Sequence, residues 1–234
     1  VAMIAPGTIT TPLIRPVKFD AREFEWLGSP AARPYALWFW HTTGIKSLDQ
    51  IKQKEMTVAQ SGFTSSGAVL ARLMNATLGT KIKNIYGYEG GGALNLAMEK
   101  GETDGRANFY TGFTAAQPEW ITGKKVVPLM VFGPREKHDI FKGVPNMRDV
   151  LTAGTLERKM YDVLAMDLEV GQGFYLPPGT NKEATGILAK AFDRMIADPD
   201  FKDQVEKRRI EFSPVSAADI RKFIAEGFEA ATPE

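Results

Sequence analysis

Three short loops hold the residues best suited to gripping a polar ligand. The first is Gly87-Tyr88-Glu89-Gly90-Gly91-Gly92. Glycines let backbone N–H groups approach an anion at a helix N-terminus. No Lys-Ser or Lys-Thr follows them, and the run is not Gly-x-Gly-x-x-Gly on the first strand with an acid downstream, so a nucleotide loop is not indicated. Ligand contact through backbone amides and a purely structural turn both stay open. The second loop, Ser61–Ser66, carries the hydroxyls of Thr64, Ser65 and Ser66 just before a predicted helix. Capping uses one of them, which leaves two beside Gly62 for a polar ligand. Pro6-Gly7-Thr8 is the third loop. Ligands of open α/β sheets sit beyond the carboxyl ends of strands, and all three loops are predicted to fall there.

Other chemistry finds little support. There is no cysteine, which removes disulfides, thiolate metal sites and cysteine nucleophiles. The two histidines, His41 and His138, are far apart in sequence and suggest no metal pair. No Gly-x-Ser-x-Gly elbow and no His-Glu-x-x-His motif occurs. Carboxylates are plentiful, but no spacing singles out an acid–base pair. Trp26, Trp38, Trp40 and Trp120 are read as core packing before ligand stacking. No catalytic residue, cofactor or metal is expected.

The elements that position these loops alternate between strand and helix. Val1–Ala5 reads as the middle of a buried strand, Phe24–Leu27 as a weaker one, and Ala36–His41 as a strong, aromatic one. Ser47 with Gln50 forms a capping box for a short helix. Met56–Ala59 is a strand, followed by a helix whose Val69, Leu70, Leu73 and Leu78 recur at helical spacing up to Gly79. Ile82–Tyr86 is a strand before the glycine loop, with a helix from about Ala93 to Lys100. Thr103–Ala107 is a short strand. Val126–Phe132 is an apolar strand broken at Pro128, which puts it at a sheet edge or makes it irregular. Leu156–Leu168 is helical and Gly173–Leu176 is a strand. The remainder is helical, with Thr180 and Glu183 as one capping box, Asp198-Pro199 as a break and Ser216 as the last cap. The mixed charges of Lys202–Arg209 form a solvated helix face. Alternating βα units predict an α/β fold with a largely parallel sheet.

The composition fits this class. The 234 residues are 44% hydrophobic and 24% charged, enough apolar material for one large or two small cores. Lys and Arg number 29 against 28 Asp and Glu, a net charge of +1. Such a chain has no field to recruit nucleic acid or an anionic membrane. The uncharged stretch Val1–Ile14 holds two prolines and is shorter than the ~20 residues of a membrane helix.

In order along the chain, several of these segments resemble the extracytoplasmic solute receptors of the tripartite tricarboxylate transporter family, the Bug-type binding proteins. Phe24-Glu25-Trp26-Leu27-Gly28 resembles the family's strand before the first lobe crossover, and Gly44-Ile45-Lys46-Ser47-Leu48 its Val-Lys-Ser-Leu element. The stretch from Leu70 through Gly79 to Tyr88-Glu89-Gly90 resembles its Gly-Tyr-x-Gly loop, and Gly101-Glu102-Thr103-Asp104-Gly105 its Gly-Glu-x-Asp-Gly turn. Pro177-Pro178-Gly179-Thr180 and Asp198-Pro199-x-Phe201 match its C-terminal signature.

The resemblance implies a two-lobed, type II periplasmic-binding-protein fold with mixed, mostly parallel sheets flanked by helices. Lobe one would comprise residues 1–34 and 175–234, lacking its opening βα units, and lobe two residues 35–174. A small organic acid would be captured between the lobes by hinge closure and delivered to membrane transporter subunits. The protein would be periplasmic and monomeric, without a nucleic-acid partner. Position by position, the ligand residues would be Gly7 and Thr8; Thr64, Ser65 and Ser66; Tyr88, Gly90 and Gly91; and Asp104 with Phe109. Glu89 stands where many relatives have Lys, and Thr11-Pro12 replaces a common Asn-Pro. Arg106 follows the acidic turn as a further source of positive charge. Two other readings stay open: an enzyme on a related two-lobed α/β fold, using Glu102, Asp104 and Arg106, and a ligand receptor for a sensor kinase.

Overall fold

The computed structural model of the chain describes residues 1–4, 8–14, 16–32, 34–134, 138–208 and 212–231. The strands are β1 (Ala2–Met3), β2 (Glu25–Ser29), β3 (Tyr35–Trp40), β4 (Met56–Ala59), β5 (Ile82–Ile85), β6 (Gly105–Phe109), β7 (Val126–Phe132), β8 (Phe174–Leu176) and β9 (Val215–Ser216). The α-helices are α1 (Thr11–Ile14), α2 (Leu48–Gln53), α3 (Ser66–Leu78), α4 (Gly90–Glu99), α5 (Thr111–Thr114), α6 (Pro118–Thr122), α7 (Met147–Val150), α8 (Leu156–Val170), α9 (Lys182–Ala197), α10 (Pro199–Lys207) and α11 (Ala217–Ala230).

The chain forms two compact units. One is Val1–Arg33 with Thr152–Glu234; the other is Pro34–Leu151. The sequence put the return crossing at about residue 175, but it falls at 151/152. The reason is α8, which buries Met166 and Val170 beside Trp26, Ile220 and Ile224 in the core of the first unit.

The first unit has a four-stranded sheet of order β1-β8-β2-β9, with antiparallel pairing throughout. Trp26 is buried and its indole N–H donates to the Ala21 carbonyl (3.1 Å). Of the buried strand expected over Val1–Ala5, the described residues 1–4 form an edge instead, and Ala5 lies outside the described residues. Among the described residues β1 pairs with β8 alone, with Val1 and Met3 exposed; Ile4 is the residue that enters the core.

The second unit has a five-stranded mixed sheet of order β5-β4-β6-β3-β7. Its core joins Trp38, Trp40, Phe113, Trp120 and Phe141, so the tryptophans pack as expected. Helices flank both sheets and the second sheet is mixed, but the expectation of mostly parallel pairing is corrected. Only β4 runs parallel to its neighbours β5 and β6; β3 runs against both β6 and β7. Parallel neighbours need a helical crossover, and β4-α3-β5-α4-β6 is the segment that provides two. β7 takes the edge position that Pro128 requires, and its register with β3 shifts between Leu37 and Trp38.

Local signals set most element ends. Ser47 and Gln50 form the reciprocal capping box of α2. Asp198 ends α9 and caps α10. The cap of α9 is Asn181, not Thr180, whose hydroxyl instead donates to the Pro177 carbonyl (2.7 Å). The helix after the glycine loop begins at Gly90, three residues earlier than its apolar pattern indicated, so the glycines form its first turn.

Candidate functional site

β4 and β5 are adjacent and parallel, and each is followed by a loop and a helix. The N-termini of α3 and α4 therefore arrive side by side at one end of the second unit's sheet. Both are uncapped. Ser65 precedes α3 and Glu89 precedes α4, and neither side chain bonds to the first turn of its helix. The Ser65 hydroxyl turns back into its own loop, 2.8 Å from the Gly62 carbonyl and 3.2 Å from Gln60 Oε1. An uncapped helix start presents backbone donors and the positive end of the helix dipole to whatever lies in front of it.

Gln60 ties the two loops together. It is 3% exposed. Its backbone N–H donates to the Ile85 carbonyl (2.8 Å), its carbonyl accepts from Tyr88 N–H (3.4 Å), and its amide nitrogen donates to Asn84 Oδ1 (2.9 Å). Asn84 in turn donates to the Ala68 carbonyl in the first turn of α3 (3.3 Å). Gly67 leaves room for this arrangement. A Cβ there would meet Ala107 Cβ and Gln60 Oε1 at 2.8 Å and the Tyr35 hydroxyl at 3.0 Å. That hydroxyl donates to the Ala107 carbonyl (3.2 Å), and burial pushes its pKa up to about 12.

The sequence-predicted residues divide by location. Thr64 and Ser66 are exposed at the start of α3, with Ser65 half-buried between them. Tyr88 packs against Ala59, Leu94 and Ala97, and burial followed by the Glu102 charge raises its pKa. Gly90 and Gly91 are exposed in the first turn of α4, and Gly90 has φ +75°, which glycine alone adopts without strain. Phe109 ends β6 at the same end of the sheet, its ring edge-on to Tyr35 at 4.8 Å. These seven residues share one end of the second unit.

Asp104 does not join them. It precedes β6, at the opposite end of the strand from Phe109, and its carboxylate accepts from the backbone N–H and the hydroxyl of Thr57, both at 2.7 Å. Its role there is to lock β4 against β6. Thr8 lies in the first unit, in a turn whose next residues are fixed by α8: Ile9 N–H and the Thr10 hydroxyl donate to Asp167 at 3.2 and 2.7 Å. Gly7 lies outside the described residues.

Sequence reasoning passed over Gln60, Gly67 and Tyr35, and could not orient Arg106. Arg106 pairs in register with Ala59 and is 5% exposed. Its Nη1 donates to the Gly91 carbonyl (2.9 Å) and to Asn95 Oδ1 (2.5 Å), and its Nε to the Ala107 carbonyl (3.4 Å). Burial lowers its pKa to about 10, so it is charged at neutral pH. The signal available in the sequence was its place two residues after Asp104, on a strand flanked by the two loops.

Among the described residues, no group of three or more His, Asp or Glu could hold a metal ion, and no helix is long and apolar enough to cross a membrane.

The chain comprises two units in which helices flank a sheet, and in the second unit helices start at the carboxyl ends of parallel strands. Comparison with solved structures shows a fold similar to that of solute-binding proteins. A TctC solute-binding protein from Polaromonas, solved without ligand, superposes with a TM-score of 0.70 over 98% of this chain and 75% of its own, at 15% identity. R. palustris Rpa4515 with adipate gives 0.63 over 98% and 75%, also at 15% identity. A structure described as a periplasmic transporter gives 0.63 over 97% and 72%, at 17% identity. These likenesses establish the fold. No family model matches the chain, and no curated protein matches it.

Proposed function

We propose that this chain is an extracytoplasmic receptor that captures a small organic acid and delivers it to a membrane transporter of the tripartite tricarboxylate type. One observation carries the reading: the uncapped N-termini of α3 and α4 stand together at the carboxyl ends of adjacent parallel strands. Such termini bind carboxylates without a net positive protein, which suits a chain of charge +1. The donors are the first-turn N–H groups, the exposed hydroxyls of Thr64 and Ser66, and the turn at Gly90-Gly91. Tyr88 and Phe109 flank them with aromatic surface. Thr8 and Gly7 are assigned to the ligand by the sequence resemblance. The fold neighbours support the class, and adipate with one of them is consistent with a carboxylate.

Burial moves the Tyr35 pKa up to about 12 and lowers that of Arg106 to about 10, so Arg106 keeps its positive charge at the neutral pH where an organic acid is ionised.

Thermal-shift titration with di- and tricarboxylates, amino acids and aromatic acids tests the reading. A true ligand raises the melting temperature with its concentration. No stabilisation by any member of the panel would overturn it. A pull-down with solubilised membrane proteins tests delivery to a transporter.

A further inference from the structure

Arg106 is a buried guanidinium with no counter-ion among the described residues. Three of its donor contacts go to neutral oxygens: the carbonyls of Gly91 and Ala107 and the side chain of Asn95. The Asn95 amide is in turn held by Gln117 Oε1 (2.6 Å), so the network closes without a carboxylate. Nη2 makes no hydrogen bond, yet it is not among the sealed, unsatisfied nitrogens of the protein. Glu89, the acid at the start of α4, is exposed and does not pair with it.

The surroundings heighten the imbalance. The guanidinium sits under the first turn of α4, where the helix dipole is also positive, an arrangement unfavourable to the free protein. The turn above it is bare. A Cβ at Gly91 would lie 3.9 Å from Nη1, and at Gly90 and Gly92 it would meet nothing within 4 Å. On the side of this turn the glycines therefore place only backbone over the cation, while Asn95 and, 5.9 Å away, the Phe113 ring contact it from other sides. A charge held at a cost to the fold, beneath a turn with no side chains, is suited to an anion that arrives from outside.

We infer that Arg106 and the first turn of α4 form a carboxylate subsite in which the guanidinium supplies the full positive charge. The inference rests on the receptor reading above and sharpens it: the ligand carries an ionised group at this end, and neutral dipoles alone do not account for its affinity.

The test is calorimetric titration of the 234-residue chain with succinate, adipate and citrate, and with succinamide and adipamide as neutral counterparts. Two variants accompany the wild type. Arg106→Gln removes the charge and keeps a hydrogen-bonding side chain. Gly91→Val keeps the charge and covers it, at a position with open space and an ordinary backbone conformation. The expected result is binding of at least one acid but not its amide, with about a tenfold or greater loss in Arg106→Gln and roughly threefold or more in Gly91→Val. If Arg106→Gln does not fold, Gly91→Val decides. Wild-type binding that is unchanged in the folded variants would overturn the inference and leave the receptor reading intact; binding equal for acid and amide would overturn the inference and the organic-acid part of that reading, leaving a receptor of neutral solutes. No binding of any panel member by the wild type removes both.

Discussion

The longer helices of the two units begin in opposite ways. In the first unit α8, α9, α10 and α11 are each closed by a side chain: Thr155, Asn181, Asp198 and Ser216 accept from the backbone of the first turn. In the second unit the two helices of comparable length, α3 and α4, have no such cap. Capping is not beyond that unit's sequence, since α2 carries a full capping box. A side-chain cap is worth about 1 kcal/mol, so two long helices without one mark donors left for something other than the protein. The first unit spends its polar residues on closing helices; the second leaves two ends open at the same place.

The largest expected effect tests whether the open ends depend on the packed sheet beneath them. Trp38 is fully buried and donates to the Asn108 carbonyl (3.0 Å). Trp38→Ala should lower the unfolding free energy by about 3–5 kcal/mol, measured by urea denaturation, and should abolish ligand-induced stabilisation. Asp104→Ala comes next. Loss of its two bonds to Thr57 should cost about 2 kcal/mol and leave carboxylate affinity unchanged, because it lies at the far end of β6. A large loss of affinity would return Asp104 to the site.

The alkaline limb addresses Tyr35. Its folded pKa, about 12, lies above the ordinary value of 10. Its contribution to stability is therefore full below pH 10 and is lost as pH rises towards 12. Arg106 runs the other way: its pKa is lowered to about 10, so its burial opposes folding at neutral pH and that opposition fades above pH 10. Tyr35→Phe removes the first effect, and with it the smaller electrostatic support that the Tyr35 phenolate gives the Arg106 charge. Between pH 7 and 11 it should lose about 1 kcal/mol less stability than the wild type, as read from paired denaturation curves.

A pair of cap substitutions tests the contrast directly. Ser216→Ala in the first unit should cost about 1 kcal/mol with no change in ligand affinity. Glu89→Asp in the second keeps the charge but shortens the side chain to one that caps well. It should raise stability by roughly 0.5–1 kcal/mol and weaken carboxylate binding, since the new cap competes for the same donors. Equal behaviour in the two units would remove the contrast. The smallest effect belongs to the exposed pair Lys207–Asp203, at 2.6 Å on α10. Lys207→Ala should change stability by no more than about 0.5 kcal/mol.

Much of this was legible in the sequence because its causes are local. The Ser47–Gln50 box, the Asp198-Pro199 break and the Pro128 edge each follow from the chemistry of a few neighbouring residues. The hydroxyl and glycine loops fell at strand ends because βα alternation places them there. What escaped depends on pairing between distant segments. Arg106 lies under Gly91 only because β6 sits beside β4 with Ala59 opposite Arg106, and no local pattern fixes that register. The boundary at 151/152 escaped for the same reason, since α8 declares its unit by burying Met166 beside residues more than fifty positions away. Asp104 is different. A residue that precedes a strand lies at that strand's amino end, so its separation from the hydroxyl and glycine loops could have been read directly.

The two edges of the second unit's sheet bear on how the protein behaves in a crowded compartment. β7 carries Pro128, which has no N–H to offer a neighbouring molecule, and its pairing with β3 is irregular beside that residue. β5, at the other edge, is four residues long and exposes Lys83 at its second position. A short charged edge and a proline-interrupted one both discourage strand-to-strand association. The sheet that presents the open helix ends is thus built to resist recruiting further copies of itself, and those ends stay uncovered by strand pairing even when the protein is abundant.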